Sequence, residues 1–388
     1  MLQMEVYFDN SATTKPDKEV VDKMVMALTV YYGNPSSLHQ KGVEVEKMLK
    51  QARKQVAKAF RADTKEIIFT SGGTESNNLA LYGALHAKKR QGKKLITTKV
   101  EHPSVLNVFR NMEMEGYEVS YLNVDPFGRI DIKELEDCLS EETILISIMH
   151  VNNETGTIQP ISEVGRLLNR YQNKPLFHVD AIQSFGKILF TPQEIGADLI
   201  SISGHKIHGP KGIGSLYVKK DCRIVPLLLG GEQEAGMRSG TENVPGIIGL
   251  GTAVELIFDD IENKIIKMRK LKNRLIDGIQ TEIDDVKING ISGEGSAPHI
   301  VNISFLGIKG EVLLHMLEQD HIYVSTGSAC SSKKRGQSHV LKEMGLKDEE
   351  IESAIRFSFS HHNKEEEIDY VIEKVKHHVK NLRKIMRR

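Results

Sequence analysis

Lys206 closes the run Ser201-Ile202-Ser203-Gly204-His205-Lys206, where an apolar, β-branched stretch beginning at Asp198 stops abruptly at an amine. That pattern suits a strand buried on both faces of a parallel sheet. Such a strand delivers its last side chains to the carboxyl edge, where open α/β folds bind ligands. Gly204 and Gly209-Pro210-Lys211-Gly212 break regular structure on either side of the lysine, as a loop hugging a ligand requires. An amine in that place is either a solvated loop residue or a Schiff-base lysine, and the residues around it have to decide.

Three further groups meet the needs of pyridoxal phosphate. Leu176-Phe177-His178-Val179-Asp180 is a second buried-strand pattern, ending in a carboxylate; a carboxylate at the ring nitrogen keeps a pyridinium protonated, so that the cofactor acts as an electron sink. Ile67-Ile68-Phe69-Thr70-Ser71-Gly72-Gly73-Thr74-Glu75 reads as strand, glycine turn and helix start, and its free N–H groups and helix dipole hold a phosphate. Ser203 and His205 would donate to the same phosphate, and Gln183, three residues beyond Asp180, lies within reach of the ring oxygen.

With those groups in view, the chain resembles a cysteine desulfurase of the NifS/IscS type, in the class-V-aminotransferase-like, fold type I group of pyridoxal phosphate enzymes. The resemblance runs from end to end, through Tyr7 to Thr14, Gly33 to His39, Glu101-His102-Pro103, Asn152 to Gly156, His178 to Gln183, Ser203 to Lys206, Arg238 to Thr241 and Gly327-Ser328-Ala329-Cys330. It implies conversion of L-cysteine to L-alanine, with sulfur passing to a Cys330 persulfide and then to acceptors for iron–sulfur cluster assembly or for tRNA or thiamine thiolation. It also implies a homodimer in which Arg238 and Thr241 reach the phosphate of the opposite subunit. His102 would then stack on the pyridine ring and move protons; on the residues alone it is equally a capping or surface histidine before Pro103, a good first helical residue. Asn153 follows a strand closely enough to contact the cofactor oxygen or the substrate carboxylate.

Cys330 lies among small polar residues, with Lys333, Lys334 and Arg335 close behind it. An exposed loop of that charge favours thiolate and lets the sulfur both attack and travel, although a free cysteine is also commonly a small buried apolar residue. Cys330 could in addition ligate a transient iron–sulfur cluster; no intrinsic metal site is expected. Arg356 alternates with apolar residues in Ala354-Ile355-Arg356-Phe357-Ser358. It is either a surface strand arginine or a bidentate clamp for the substrate carboxylate. The pairs His361-His362 and His377-His378 sit among charged residues with no third ligand near them in sequence, and are expected to be solvated.

These groups need a scaffold. From Glu66 onward strand-like and helix-like segments alternate, so the expected fold is α/β: a mainly parallel seven-stranded sheet plus a smaller α+β domain. Strands are expected at 67–70, 94–98, 118–122, 144–149, 176–180, 199–203 and 215–219, and helices from about Thr74, Pro103, Asp131 and Ile161. Pro245 to about Ile283 reads as one long helix, and 289–297 as a turn into a strand at 299–305. The small unit would add a helix at 311–318, strands at 322–325 and 354–360, and a helix at 365–386. The large cofactor-binding domain would span 15–255, and the small one 1–14 and 256–388, bearing the cysteine loop at about 325–337. Gly249-Leu250-Gly251-Thr252-Ala253-Val254 imitates a dinucleotide fingerprint, but Val254 stands at the third glycine and no strand precedes it.

Composition sets outer limits. Lys plus Arg and Asp plus Glu both total 52 in 388 residues, so no global field draws the chain to nucleic acid or acidic membrane. With no bilayer-length apolar run and no secretory pattern at Met1 to Glu5, the cytoplasm is the default location. Three cysteines without a CxxC pair exclude a disulfide framework. The basic Lys333-Lys334-Arg335 stretch and the end at Arg388 soon after the terminal helix depart from relatives that dock an iron–sulfur scaffold. A selenocysteine lyase or aminotransferase would share Lys206 and Asp180, but an aminotransferase has no use for Cys330. A cofactor-free scaffold has no use for any of them.

Overall fold

The computed structural model describes residues 4–327 and 337–386; Cys330 and Lys333 to Arg335 lie outside them. The chain opens with β1 (Val6–Tyr7), α1 (Lys18–Thr29) and α2 (Gln40–Phe60). An alternation follows: β2 (Ile67–Thr70), α3 (Gly73–Lys88), β3 (Lys94–Thr98), α4 (Pro103–Met114), β4 (Glu118–Leu122), α5 (Ile132–Cys138), β5 (Thr143–Met149), α6 (Ile161–Leu168), β6 (Leu176–Asp180), α7 (Pro192–Ile195), β7 (Leu199–Ser203) and β8 (Gly214–Val218). Then come α8 (Val244–Phe258), α9 (Ile261–Glu282), β9 (Val286–Asn289), β10 (Ile300–Phe305), α10 (Gly310–Gln319), β11 (Ile322–Tyr323), α11 (His339–Glu343), α12 (Asp348–Glu352), β12 (Ala354–Ser358) and α13 (Glu365–Met386).

Strands β2 to β8 form one sheet in the order β2-β8-β7-β6-β5-β3-β4. From β4 across to β7 all neighbours are parallel, while β8 is antiparallel to both β7 and β2. The central strands explain themselves: every residue of Thr143–Met149, Leu176–Asp180 and Leu199–Ser203 is buried, as expected where helices cover both faces of a parallel sheet. At the edge, β4 reads Glu-Val-Ser-Tyr-Leu and buries only its last residue. One face carries α1, α2, α6 and α8 around Phe60, Phe185 and Ile200; the other carries α3 and α4 around Leu81, Phe109 and Leu145. The false fingerprint is part of α8, and its glycines serve packing: a Cβ on Gly251 would meet Ala52 Cα of α2 at 2.7 Å.

A second, antiparallel sheet has the order β12-β10-β9. Leu271, Leu275 and Ile279 of α9 and Val371, Val375 and Val379 of α13 share one core with Val301, Ile303 and Phe357 of that sheet. The short β1 belongs to this part of the molecule, pairing in parallel with β11. The segment 322–325 is therefore a strand only over its first two residues, in a separate ribbon. β9 was not foreseen: its exposure alternates over four residues, too short a period to distinguish from the turn that follows it.

The single helix expected from Pro245 to Ile283 is two. α8 is apolar on nearly all sides and α9 is amphipathic, and the switch falls at Asp259-Asp260. Asp260 adopts φ 55°, ψ 38°, with its carboxylate accepting from Asn263 Nδ2 at 2.7 Å. A left-handed conformation is tolerable for Asp and free for Gly, but costs a β-branched residue heavily. Asp260→Gly should leave the urea midpoint almost unchanged, while Asp260→Val should lower stability by about 1–2 kcal/mol at an unchanged m-value.

Candidate active site

Parallel strands put all their carboxyl ends on one sheet edge, and the chemical groups cluster there. Lys206 follows β7, Asp180 ends β6, Asn153 follows β5, His102 follows β3, and Gly73 and Thr74 begin α3. One cavity of about 200 Å³ is lined by Gly73, Thr74, His102, Asn153, Asp180, Gln183, Ser203, His205, Lys206 and Arg356. Ten residues singled out in the sequence thus share one wall. Thr241 does not join them; it is exposed, in a separate concavity with Arg238, and Arg238 Nε donates to Glu75 at 2.9 Å.

Lys206 Nζ donates to the backbone carbonyls of Ser11 at 2.5 Å and Ala12 at 2.7 Å. Buried Lys187 donates to the Lys206 carbonyl at 2.8 Å, and burial pulls its pKa down to about 7. Asp180 accepts from Asn77 Nδ2 at 2.8 Å and from the Ile182 N–H at 3.0 Å. Burial raises its pKa, while those two bonds and the charges of His102 and Lys206 work in the opposite direction. His102 caps α4 and lines the cavity at once. Its Nδ1 accepts the Ser104 N–H at 3.1 Å, so the proton of the neutral ring sits on Nε2. Burial lowers its pKa, with the Lys206 charge acting in the same sense and Asp180 against. His205 Nδ1 lies 3.2 Å from Thr13 Oγ1, and burial brings its pKa to about 4.

Arg356 is 1% exposed. It donates through Nη1 to the Asn153 carbonyl at 2.9 Å and through Nη2 to Asp9 Oδ1 at 2.8 Å. Its Nε has no partner among the described residues, and neither has Gln183 Oε1. Of the alternatives for Arg356, the surface reading is excluded by its burial.

Several supporting groups escaped the sequence reading. Asn77 lies four positions after Gly73 on α3, so it faces the same way; a polar residue on that otherwise buried face was the available signal. Ser11, Ala12 and Asp9 arrive from the distant Tyr7 to Thr14 stretch, whose place at the site only the family resemblance implied. Of the histidine pairs, His362 and His377 are exposed as expected, and their neighbours are not. His378 Nε2 lies 2.6 Å from Asp320 Oδ2 and is largely buried. His361 and His362 do acquire a third partner, because the fold sets buried His208 beside them.

Glu101 precedes His102 and is wholly buried. Its Oε1 accepts from Thr98 Oγ1 and the Met149 N–H, both at 2.9 Å, yet burial raises its pKa to about 8. The folded state therefore holds this proton more tightly than the unfolded chain, whose value is near 4.5. The associated stability is complete below pH 4.5 and fades as pH rises toward about 8, at up to about 1.4 kcal/mol per pH unit. Glu101→Gln should flatten that slope in urea unfolding measured across the window; an identical slope in the variant would contradict the assignment.

The aminotransferase class-V family model matches residues 6–371. A cysteine desulfurase of Trichormus azollae is 47% identical over 378 residues, covering 97% of this chain and 94% of its own. The cysteine desulfurase IscS of Clostridium botulinum is 43% identical over 373 residues, covering 96% and 94%. Among solved structures, a NifS-like protein superposes with a TM-score of 0.92 at 39% identity, over 98% of this chain and all of its own. The fold, with its mainly parallel sheet, agrees with the NifS-like structure, and the chain belongs to the aminotransferase class-V family as one of its cysteine desulfurases.

Proposed function

We propose that the chain binds pyridoxal 5′-phosphate in the Lys206–Asp180 cavity and uses it to move the sulfur of L-cysteine onto Cys330, releasing L-alanine. The observation that carries this reading is the convergence on one cavity of an amine, a buried carboxylate, a neutral imidazole and a guanidinium from four separate segments. The cavity also suits the cofactor sterically and chemically. A Cβ on Gly73 would come within 2.2 Å of Ile182 Cδ1, so the helix start lies bare against that wall, and the orphan Gln183 Oε1 awaits a donor.

Gly73 and Thr74 at the start of α3, with Ser203 and His205, would hold the phosphate, and Lys206 the aldehyde carbon. Asp180, oriented by Asn77, would face the ring nitrogen. His102 would cover the ring face and Gln183 the ring oxygen, with Asn153 beside it. When bound, the cofactor supplies an electron sink that stabilises negative charge at the substrate Cα. The chain's own part is then proton movement and positioning. Lys206 Nζ would act as the general base that takes the substrate Cα proton. Arg356, held in place by Asp9 and Asn153, would bind the substrate carboxylate through its guanidinium. The Cys330 thiolate attacks the substrate sulfur: the Cβ–S bond breaks, an S–S bond forms, and Cβ takes up a proton. L-cysteine plus a thiol thus gives L-alanine plus a persulfide.

Thr241, exposed and remote from its own chain's cavity, is read together with Arg238 as serving the phosphate of a second copy in a homodimer. The persulfide sulfur passes on to an acceptor protein, either an iron–sulfur scaffold or an enzyme of tRNA or thiamine thiolation. No described helix is long and apolar enough to cross a membrane.

Alanine released from L-cysteine with reductant present tests the sulfur route directly. The wild type should turn over and Cys330→Ala should produce almost none; normal output from the variant would sink the persulfide assignment. Arg356→Lys should raise KM for L-cysteine about tenfold or more, since an ammonium cannot reproduce the planar fork, and should change kcat far less. An unchanged KM would remove Arg356 from the substrate site.

A further inference from the structure

We infer that His208, His361 and His362, with Asp17 beside them, form a binding site for a divalent transition-metal ion of the zinc class. Three distant segments build it: the loop just after Lys206, the turn between β12 and α13, and the residue that precedes α1. One nitrogen from each imidazole lies within 4.8 Å of the others. The ring centroids are 5.0 Å apart for His208 and His361, 4.7 Å for His208 and His362, and 4.0 Å for His361 and His362. Zinc–nitrogen bonds of about 2.0–2.1 Å in a tetrahedron set neighbouring nitrogens roughly 3.4 Å apart, so modest side-chain rotations complete the site. Asp17 Oδ1 is 2.8 Å from His362 Nε2, in place either to become a fourth ligand or to orient His362.

His208 is prepared for such a role. It holds φ 61°, a left-handed conformation that a non-glycine residue keeps only when its surroundings impose it. Its N–H donates to Thr14 Oγ1 at 2.7 Å and its carbonyl accepts from the Asp17 N–H at 3.0 Å. Its Nδ1 lies 2.9 Å from the Lys15 carbonyl, a pure acceptor. Nδ1 therefore carries the proton and Nε2 keeps its lone pair, the arrangement usual for a metal-bound histidine. The adjacent pair His377-His378 offers an internal contrast: His378 is engaged by Asp320 and His377 by Asn381, and among the described residues they join no cluster of three ligating groups. None of the four residues of the site lines the Lys206 cavity. A bound ion would instead tie the Lys206 loop and the start of α1 to the β12–α13 turn, and so join the two sheet units.

The test uses untagged holoenzyme carrying Cys330→Ser, because a thiolate also takes zinc. Titration with zinc chloride against a chromogenic zinc indicator should show one ion per chain, with a Tm rise that EDTA reverses. Cobalt chloride should give visible d–d bands. His361→Ala/His362→Ala should weaken zinc at least about 100-fold, since even an outer partner of a ligand is worth 10–100-fold. The same pair of substitutions, placed in the chain with Cys330 intact, should keep the metal-free Tm and alanine output. Asp17→Asn should weaken zinc by about tenfold. No stoichiometric uptake in the parent, or equal uptake by the double variant, would overturn the site.

Discussion

A carboxylate and an amine can enter the same dry cavity only if each is partnered, and the active-site edge of this protein is organised by that requirement. Asp180 would be costly to bury alone. Asn77 and the Ile182 N–H supply two hydrogen bonds, and Lys206 supplies an opposing positive charge. Burial still raises its pKa, so its charge is a balance. A cationic ring nitrogen set against it, as in the proposed cofactor complex, would tip that balance toward the carboxylate. Lys206 is treated in the same way, its ammonium held by two carbonyls of the N-terminal segment.

That segment links the two sheet units. Residues 6–7 pair with β11, Asn10 Nδ2 donates to the Ser358 carbonyl at 3.0 Å, and Asp9 anchors Arg356. A few residues on, the Thr14 N–H and hydroxyl both donate to the His205 carbonyl. The amine and the guanidinium, which would act on adjacent carbons of one substrate, are thus registered to each other through the first turns of the chain. Movement of the small unit would be felt at Arg356 before it reached Lys206.

Much of the large sheet was legible because buried parallel strands are short, apolar and sharply bounded. Five of its strands, at 67–70, 94–98, 118–122, 176–180 and 199–203, have the ends expected from sequence. The polar residues that end or follow such strands, Asp180, Lys206, His102 and Asn153, were legible for the same reason: they interrupt a pattern. What stayed hidden depends on contacts between distant segments. Nothing near His361-His362 announces His208, and nothing near Asp180 announces Asn77 except one polar position on a buried helix face. The division between α8 and α9 left only a pair of aspartates and a change of periodicity, which a summed helical propensity smooths over.

The most direct measurement is borohydride reduction of the holoenzyme followed by peptide mass mapping, because it asks which amine meets the cofactor's aldehyde carbon. The account predicts a pyridoxyl label on Lys206 in the peptide that contains Ser203-Gly204-His205, and no stable label in Lys206→Ala. A label on Lys187 or Lys211 in the wild-type protein, or none on any lysine, would contradict it.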